Sequence, residues 1–256
     1  GHDIIGGKSE KGKAEGNWVV ADLTGKSVFQ VIGGTNHIGS GSGQANNNRV
    51  QLTGDGVSSA VNGPALGGRG EQGVSGNEFS ATGVTFNDNV SGGTTSKGNA
   101  TGNVLTLSNS KVEGGKQVKG GNAMNVNGSA SGNRVNLWGH TTVTGDVFGA
   151  EAVGANSDNN TVHLSDSTVT GTIYGLYGTG SGNGNTLINA SNASNPNHAG
   201  NIARFNVLNF QNISNANSDA SKAALQITGV AQTDINNAKF QLGGTDYNVD
   251  TYAIND

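Results

Sequence analysis

Cysteine is missing from the 256 residues, and proline occurs only twice. Without cysteine no disulfide or thiol chemistry is available, so the core and the backbone hydrogen bonds must provide the stability. No run approaches the roughly 18 apolar residues that a membrane-spanning helix needs. Charged residues make up 12% of the chain, and a net charge of −4 spread along it argues against a nucleic-acid-binding protein.

Glycine and asparagine are abundant instead, with 44 and 36 copies. Both accept left-handed backbone conformations at low cost, and their regular spacing indicates many tight turns between short strands. The alternative is disorder, because the hydrophobic content of 32% is low. Disordered chains lack the in-phase alternation of Val, Leu and Ile that runs from Asn17 to Gly200.

A repeat explains this alternation. The stretch Gly132–Gly149, GNRVNLWGHTTVTGDVFG, returns as Asn159–Gly175, NNTVHLSDSTVTGTIYG. Both copies alternate apolar and polar residues in short runs, which is the period of half-buried strands separated by turns. One such unit cannot bury its own apolar face, whereas several stacked units can. The repeat therefore predicts a solenoid.

The period of the solenoid follows from the asparagine that precedes each V-x-L-type strand, at spacings of 25 to 31 residues. These asparagines are Asn17, Asn48, Asn77, Asn103, Asn133, Asn160 and Asn185. Two or three short strands per 25–30 residues, with no amphipathic helix between them, predict one turn of a single-stranded parallel β-helix. An antiparallel β-sandwich is the structural alternative, although that fold does not require a repeat of nearly constant length.

In a parallel β-helix each strand pairs with its equivalent one turn on, about 4.8 Å away. The alignment then predicts three stacked pairs, namely Val135 with Val162, Leu137 with Leu164, and Asn133 with Asn160 in an amide ladder. The whole chain, 1–256, is expected to be one solenoid. Residues 1–16 form its lead-in or N-terminal edge, 17–200 its Gly/Asn-rich turns, and 201–256 more apolar C-terminal turns.

The repeat resembles the passenger domain of a bacterial autotransporter adhesin, which uses type V secretion. The resemblance is carried by the segments Asn103–Gly114, Asn133–Gly149, Asn159–Gly175, Phe205–Phe210 (FNVLNF) and Ala224–Ile235 (ALQITGVAQTDI). It implies a right-handed β-helix, display on the bacterial outer-membrane surface, and a role in adhesion or aggregation. The membrane barrel of such proteins is expected outside this chain. No secretion leader heads the sequence, so we expect an excised, mature passenger segment.

Catalytic chemistry has little support in the sequence. The acids between residues 100 and 200 fall in different columns of the repeat alignment, so no paired carboxylates of a glycosidase are predicted. The histidines are isolated in the sequence, and the alignment does not gather them at the spacing of a metal site. We therefore expect no catalytic residue, no metal, no cofactor and no enzymatic activity.

Aromatic residues suggest a binding surface instead. If Val147 and Ile173 point into the core, strand alternation turns Phe148 and Tyr174 outward on adjacent turns, with Tyr177 close by. Trp138 likewise points away from Leu137. Exposed aromatic steps on a polar scaffold suit sugar or protein binding. The opposite register, which buries Phe148 and Tyr174, stays open.

A second surface feature is basic. It consists of Lys111, Lys116 and Lys119, with Arg134 one turn later. These residues could engage acidic glycans, and a solvated charged edge is the alternative.

These observations predict an extracellular, non-enzymatic adhesin segment that attaches to host cells or glycans, aggregates with other copies of itself, or supports biofilm formation. Its partners would be a host surface protein, a glycan or a second copy, with no nucleic acid and no membrane contact within this segment. The alternative function is a β-helical polysaccharide lyase or glycosidase. A phage tail or ice-binding β-helix is a third hypothesis, because Thr-Val-Thr occurs at residues 142–144 and 168–170.

Overall fold

The chain folds as a parallel β-solenoid. The computed structural model describes residues 1–36, 43–191, 195–211, 224–230, 233–235 and 237–247. This part of the chain contains 27 strands and no helix, and consequently none that could span a membrane. Parallel strands stack in about eight turns, which confirms the predicted β-helix.

Each turn of the solenoid has up to four faces. Face 1 carries the V-x-L strands, which are β3 Trp18–Asp22, β7 Arg49–Thr53, β11 Glu78–Thr82, β15 Val104–Ser108, β19 Arg134–Val143, β21 Thr161–Tyr177, β22 Thr186–Asn189, β24 Val207–Phe210 and β26 Lys239–Leu242. Face 2 carries the two-residue strands β4 Ser27–Val28, β8 Ala60–Val61, β12 Thr85–Phe86 and β16 Lys111–Val112, and then the ends of longer strands.

Face 3 carries the glycine-containing strands, which are β1 Asp3–Ser9, β5 Gln30–Asn36, β9 Ala65–Gly70, β13 Val90–Thr95, β17 Val118–Ala123, β20 Val147–Ala152, the end of β21, and β23 Asn197–Ala203. Within β23, His198 and Ala199 stack on Thr168 and Val169 of face 2, and strand β25 Leu225–Ile227 continues this part of β23 one turn later. Face 4 is a separate five-stranded sheet of β2 Lys13–Glu15, β6 Gln44–Asn46, β10 Gly73–Ser75, β14 Asn99–Thr101 and β18 Ala130–Ser131. Strand β27 Thr245–Tyr247 pairs antiparallel with β26.

The predicted register is confirmed at every stacked pair. Val135 lies beside Val162 and Leu137 beside Leu164, and all four side chains are fully buried. Their columns continue through the solenoid and form a single elongated apolar core. The N-terminal residues also belong to the solenoid, because β1 pairs in parallel with β5.

The asparagines form the predicted amide ladder. In each step Nδ2 of one asparagine donates to Oδ1 of the equivalent asparagine one turn on, at 2.7–3.1 Å, from Asn17 to Asn185. The same Oδ1 accepts the backbone N–H of the preceding asparagine, and Nδ2 also donates to a carbonyl of face 4, as Asn133 does to Ala100 at 2.9 Å. The buried amides are therefore satisfied along the whole ladder.

Paired glycines on face 3 lie directly against this ladder. A β-carbon on Gly121 would lie 2.5 Å from Nδ2 of Asn133, a distance that no side chain tolerates. The close approach of ladder and glycines separates the main core from a second, smaller core between faces 3 and 4. The second core is built mostly from alanines, such as Ala45, Ala100 and Ala130. The residues of face 3 that precede the glycines in the chain therefore pack on the main core, and the residues that follow the glycines pack on the second core.

Candidate functional site

The candidate site lies on the outer side of face 3. Val118 and Val147 point into the main core and are fully buried, so alternation turns the next residues, Lys119 and Phe148, away from it. Yet Lys119 is only 9% exposed and Phe148 only 1%. Side chains that point away from the core are buried in this way when the outer surface of the strand is concave.

Two columns of side chains form the walls of this concave surface, which we call the elbow groove. The first wall precedes the glycine positions and consists of Ile32, Leu66, Ser91, Lys119, Phe148 and Tyr174. The second wall follows them and consists of Thr35, Arg69, Thr94, Asn122, Glu151 and Tyr177. Contacts between the walls show that they face each other, since the rings of Phe148 and Tyr177 lie 5.0 Å apart.

The elbow groove is polar in the middle and aromatic toward its C-terminal end. The rings of Phe148 and Tyr174 stack at 5.3 Å with an interplanar angle of 15°, and Tyr177 meets Tyr174 edge-on at 5.1 Å. Such ring pairs stabilise a cluster by about 0.5–1.5 kcal/mol each beyond the area they bury. The sequence thus placed these three aromatic residues together, on adjacent turns and away from the main core.

The orientation of the aromatic residues, which the sequence left open, combines features of both alternatives: Phe148 and Tyr174 project away from the main core, yet Phe148 is not exposed. Phe148 is buried, since the rings of Tyr174 and Tyr177 pack against its ring and Nζ of Lys119 lies over it within the groove. Tyr174 is half-buried, and Tyr177 is the exposed member at 45%. Strand alternation gave the correct direction for Phe148, but it cannot show that the surface bends over it.

Trp138 lies on face 1, outside the groove. It points away from Leu137 as predicted and is 38% exposed. Its ring meets that of His163 edge-on at 5.8 Å. Trp138 is therefore no part of the aromatic cluster formed by Phe148, Tyr174 and Tyr177.

The basic residues noted in the sequence do not form one patch. Nζ of Lys119 makes an ion pair with Oε2 of Glu151 across the groove and lies 5.6 Å from the centre of the Phe148 ring. Lys116 pairs with Asp88 at 3.6 Å, whereas Arg134 donates to Asn136 at 2.7 Å on face 1. Lys119 is therefore the basic residue of this set that belongs to the groove.

At its C-terminal end the elbow groove opens into a cleft of about 410 Å³. The cleft is lined by Glu151, Ala152, Val153, Tyr174, Tyr177, Gly178, Thr179 and Arg204. Arg204 donates from Nη1 to the carbonyl of Gly178 and from Nη2 to that of Gly180, which fixes the guanidinium beside the residue that follows Tyr177. Arg204 could not be identified from the sequence, because its role depends on a loop that lies 24 to 26 residues earlier.

A second cleft, on face 2, contains two of the histidines. His140 Nδ1 lies 3.0 Å from Oδ2 of Asp166, and both residues have left-handed backbones with φ of 63° and 54°. His198 lines the same cleft. Among the described residues no group of three His, Cys, Asp or Glu side chains is arranged to hold a metal ion.

His163 is half-buried on face 1. Burial, together with the nearby charge of Arg134, lowers the pKa of its imidazole. Nη2 of Arg134 contacts Nδ1 of His163 at 3.1 Å, which requires an unprotonated acceptor nitrogen. Nε2 is buried with no hydrogen-bond partner among the described residues. The neutral imidazole is therefore the form that this position favours.

Comparison with known proteins identifies no relative. No family model, curated protein or solved structure matches the chain. The fold and the elbow groove are therefore the basis for inferring a function.

Proposed function

We propose that this chain is an extracellular, non-enzymatic adhesin segment of the autotransporter passenger type, displayed on a bacterial outer-membrane surface. It attaches its bearer to host cells or glycans, or to other copies of itself in aggregates and biofilms. The observation that carries the proposal is the elbow groove, a concave surface that ends in an aromatic cleft. Binding surfaces commonly combine such aromatic anchors with a polar surround.

The rest of the solenoid suits a display rod. Its stability comes from stacked backbone ladders and the buried amide ladder, none of which needs a disulfide. Polar outer positions of face 1 recur over four successive turns, in the column of Gln51, Ser80, Thr106 and Asn136. Repeated polar side chains allow many individually weak contacts to add up along two parallel rods.

Attachment can be tested with the purified chain immobilised on beads. We expect the beads to adhere to epithelial cells, and we expect Tyr177→Ala beads to adhere at least fivefold less. Trp138→Ala is the matched control, because this aromatic residue is similarly exposed but lies on another face. Equal adhesion of the two variants would contradict a role for the groove.

Self-association needs a separate measurement. Sedimentation velocity over a hundredfold range of concentration should show a monomer that converts to dimers as the concentration rises. A strict monomer at the highest concentration would remove self-association from the proposal and leave attachment to other partners.

An enzyme that degrades polysaccharides is the second candidate function. The specific observation in its favour is the pair of Lys119 and Glu151, which places a base and an acid in the groove beside three aromatic rings. Polysaccharides incubated with the protein should keep their length if the chain is an adhesin. Shortening of any of them, and its loss in Glu151→Gln, would favour the enzyme instead.

A further inference from the structure

We propose that the cleft at the C-terminal end of the elbow groove binds an anionic sugar residue, a pyranose that carries a carboxylate or a sulfate. This inference rests on the proposed function and names the ligand class of the same site. Its residues are Tyr174, Tyr177 and Arg204, with the loop of Gly178 and Thr179 as one rim.

The shape of the cleft fits a small ring. Its volume of about 410 Å³ lies within the range of roughly 300–1,000 Å³ that is usual for small-molecule sites. Tyr177 is 45% exposed at the mouth, and its ring is held in place by contacts at 5.0 and 5.1 Å with Phe148 and Tyr174. A tyrosine that is already ordered offers a flat apolar face without losing side-chain entropy on binding. A pyranose ring presents a complementary face of C–H groups.

The charges in and beside the cleft favour an anion. Glu151 is the acidic residue of the lining, and Lys119 neutralises it through their ion pair. Arg204 bonds instead to the carbonyl oxygens of Gly178 and Gly180, which are uncharged acceptors. No ion pair involves Arg204 within the described part of the chain. Asp234, whose backbone carbonyl accepts the N–H of Arg204 at 3.0 Å, is not among the lining residues.

Arg204 is also oriented for recognition. Two of the five N–H groups of its guanidinium bond to the loop that follows Tyr177, which leaves donors for a ligand. A planar guanidinium fixed in this way can donate two parallel hydrogen bonds to a carboxylate or a sulfate. Because Gly178 follows Tyr177 directly, the bound anion and the stacked ring would belong to one sugar residue or to two adjacent ones.

Calorimetric titration with defined tetrasaccharides tests the proposal. The anionic probes are a hyaluronan and a sulfated chondroitin tetrasaccharide, and the neutral probe is chitotetraose. We expect at least one anionic probe to bind tenfold or more tightly than the neutral probe at low salt. Added NaCl should weaken this binding, because ions screen the attraction of Arg204. Equal affinity for all three probes, or no binding of either anionic probe, would overturn the proposal.

Substitutions test whether Arg204 causes the preference for the anionic probe and whether Tyr177 contributes to the binding of every probe. Arg204→Gln should abolish the preference for the anionic probe, and Arg204→Lys should retain only part of it, because lysine keeps the charge but cannot donate two parallel hydrogen bonds. Tyr177→Ala should weaken every probe by at least fivefold, and Trp138→Ala should leave all affinities unchanged. If Arg204→Gln fails to fold, the salt dependence of the unaltered protein decides: affinity for the anionic probe that is independent of salt overturns the proposal.

The outcome also distinguishes this inference from the proposed function. If the beads adhere to cells or the chain self-associates while no anionic probe binds, the adhesin proposal stands and the ligand assignment is wrong. If neither adhesion, self-association nor probe binding occurs, both are wrong.

Discussion

Removal of one amide from the asparagine ladder should destabilise the whole protein. Asn133→Ala deletes four hydrogen bonds: two that Oδ1 accepts from Asn103 and two that Nδ2 donates, to Ala100 and to Asn160. Asn103 and Asn160 are fully buried, so water cannot replace the lost partners without opening the solenoid. At about 1 kcal/mol for each bond, the variant should lose about 4 kcal/mol of unfolding free energy.

Thermal and urea denaturation, followed by circular dichroism, measure this loss. For a chain of this length 1 kcal/mol corresponds to roughly 2–4 °C, so the melting temperature should fall by about 8–16 °C. Asn127→Ala is the matched control, because Asn127 is exposed and its substitution should change stability by less than about 0.5 kcal/mol.

Asn133→Asp distinguishes the hydrogen bonds that Asn133 accepts from those that it donates. It keeps an acceptor for Asn103 but turns an oxygen toward the oxygens of Ala100 and Asn160, where an N–H group is required. At neutral pH it should be at least as unstable as Asn133→Ala. Alanine and aspartate variants that melt within about 2 °C of Asn127→Ala would refute the account of the ladder as a network of buried, mutually satisfied amides.

Three further predictions concern the glycines, a histidine and the ion pair of the groove. Gly120→Ala should lower the free energy of unfolding, measured by urea denaturation, by several kcal/mol, since the added β-carbon would overlap a carbonyl oxygen of the next turn. A variant as stable as the parent would contradict this. Burial and Arg134 lower the pKa of His163, so the unfolded chain takes up a proton more readily and stability should fall as the pH drops through about 6.5. His163→Asn should flatten that part of the pH profile, and an unchanged slope would show that other groups cause it. Glu151→Gln should lower the free energy of unfolding by about 2 kcal/mol, because Lys119 stays in a 9% exposed position without its counter-charge. Adding Lys119→Met should recover part of this loss. A double variant that is less stable than Glu151→Gln alone would argue against a stabilising ion pair.

The repeat and the ladder could be predicted from the sequence because both depend on local spacing. An asparagine before each V-x-L strand recurs every 25 to 31 residues, and strands stacked in parallel must bring such residues together. For the same reason the sequence predicts correctly that Val135 lies beside Val162 and Leu137 beside Leu164. The right-handed sense of the winding came only from the resemblance and stays a prediction.

The groove could not be predicted, because it depends on how a strand bends. Alternation fixes the side of the strand from which Phe148 projects, but the concave surface results from the approach of face 3 to the asparagine ladder. Gly121 shows that approach most clearly, since its missing β-carbon makes room for Asn133. Arg204 could not be predicted for a related reason: one cation between Ala203 and Phe205 in an apolar stretch carries no pattern until the loop of Gly178 and Gly180 lies beside it.

The proposed adhesin function depends on binding at the aromatic end of the elbow groove. A glycan array probed with the parent protein, Tyr177→Ala and Trp138→Ala tests it most directly. We expect glycan signals that Trp138→Ala keeps and Tyr177→Ala loses. Signals that survive in Tyr177→Ala would contradict binding through the groove, and no signal from the parent protein on any glycan would contradict a glycan as its ligand.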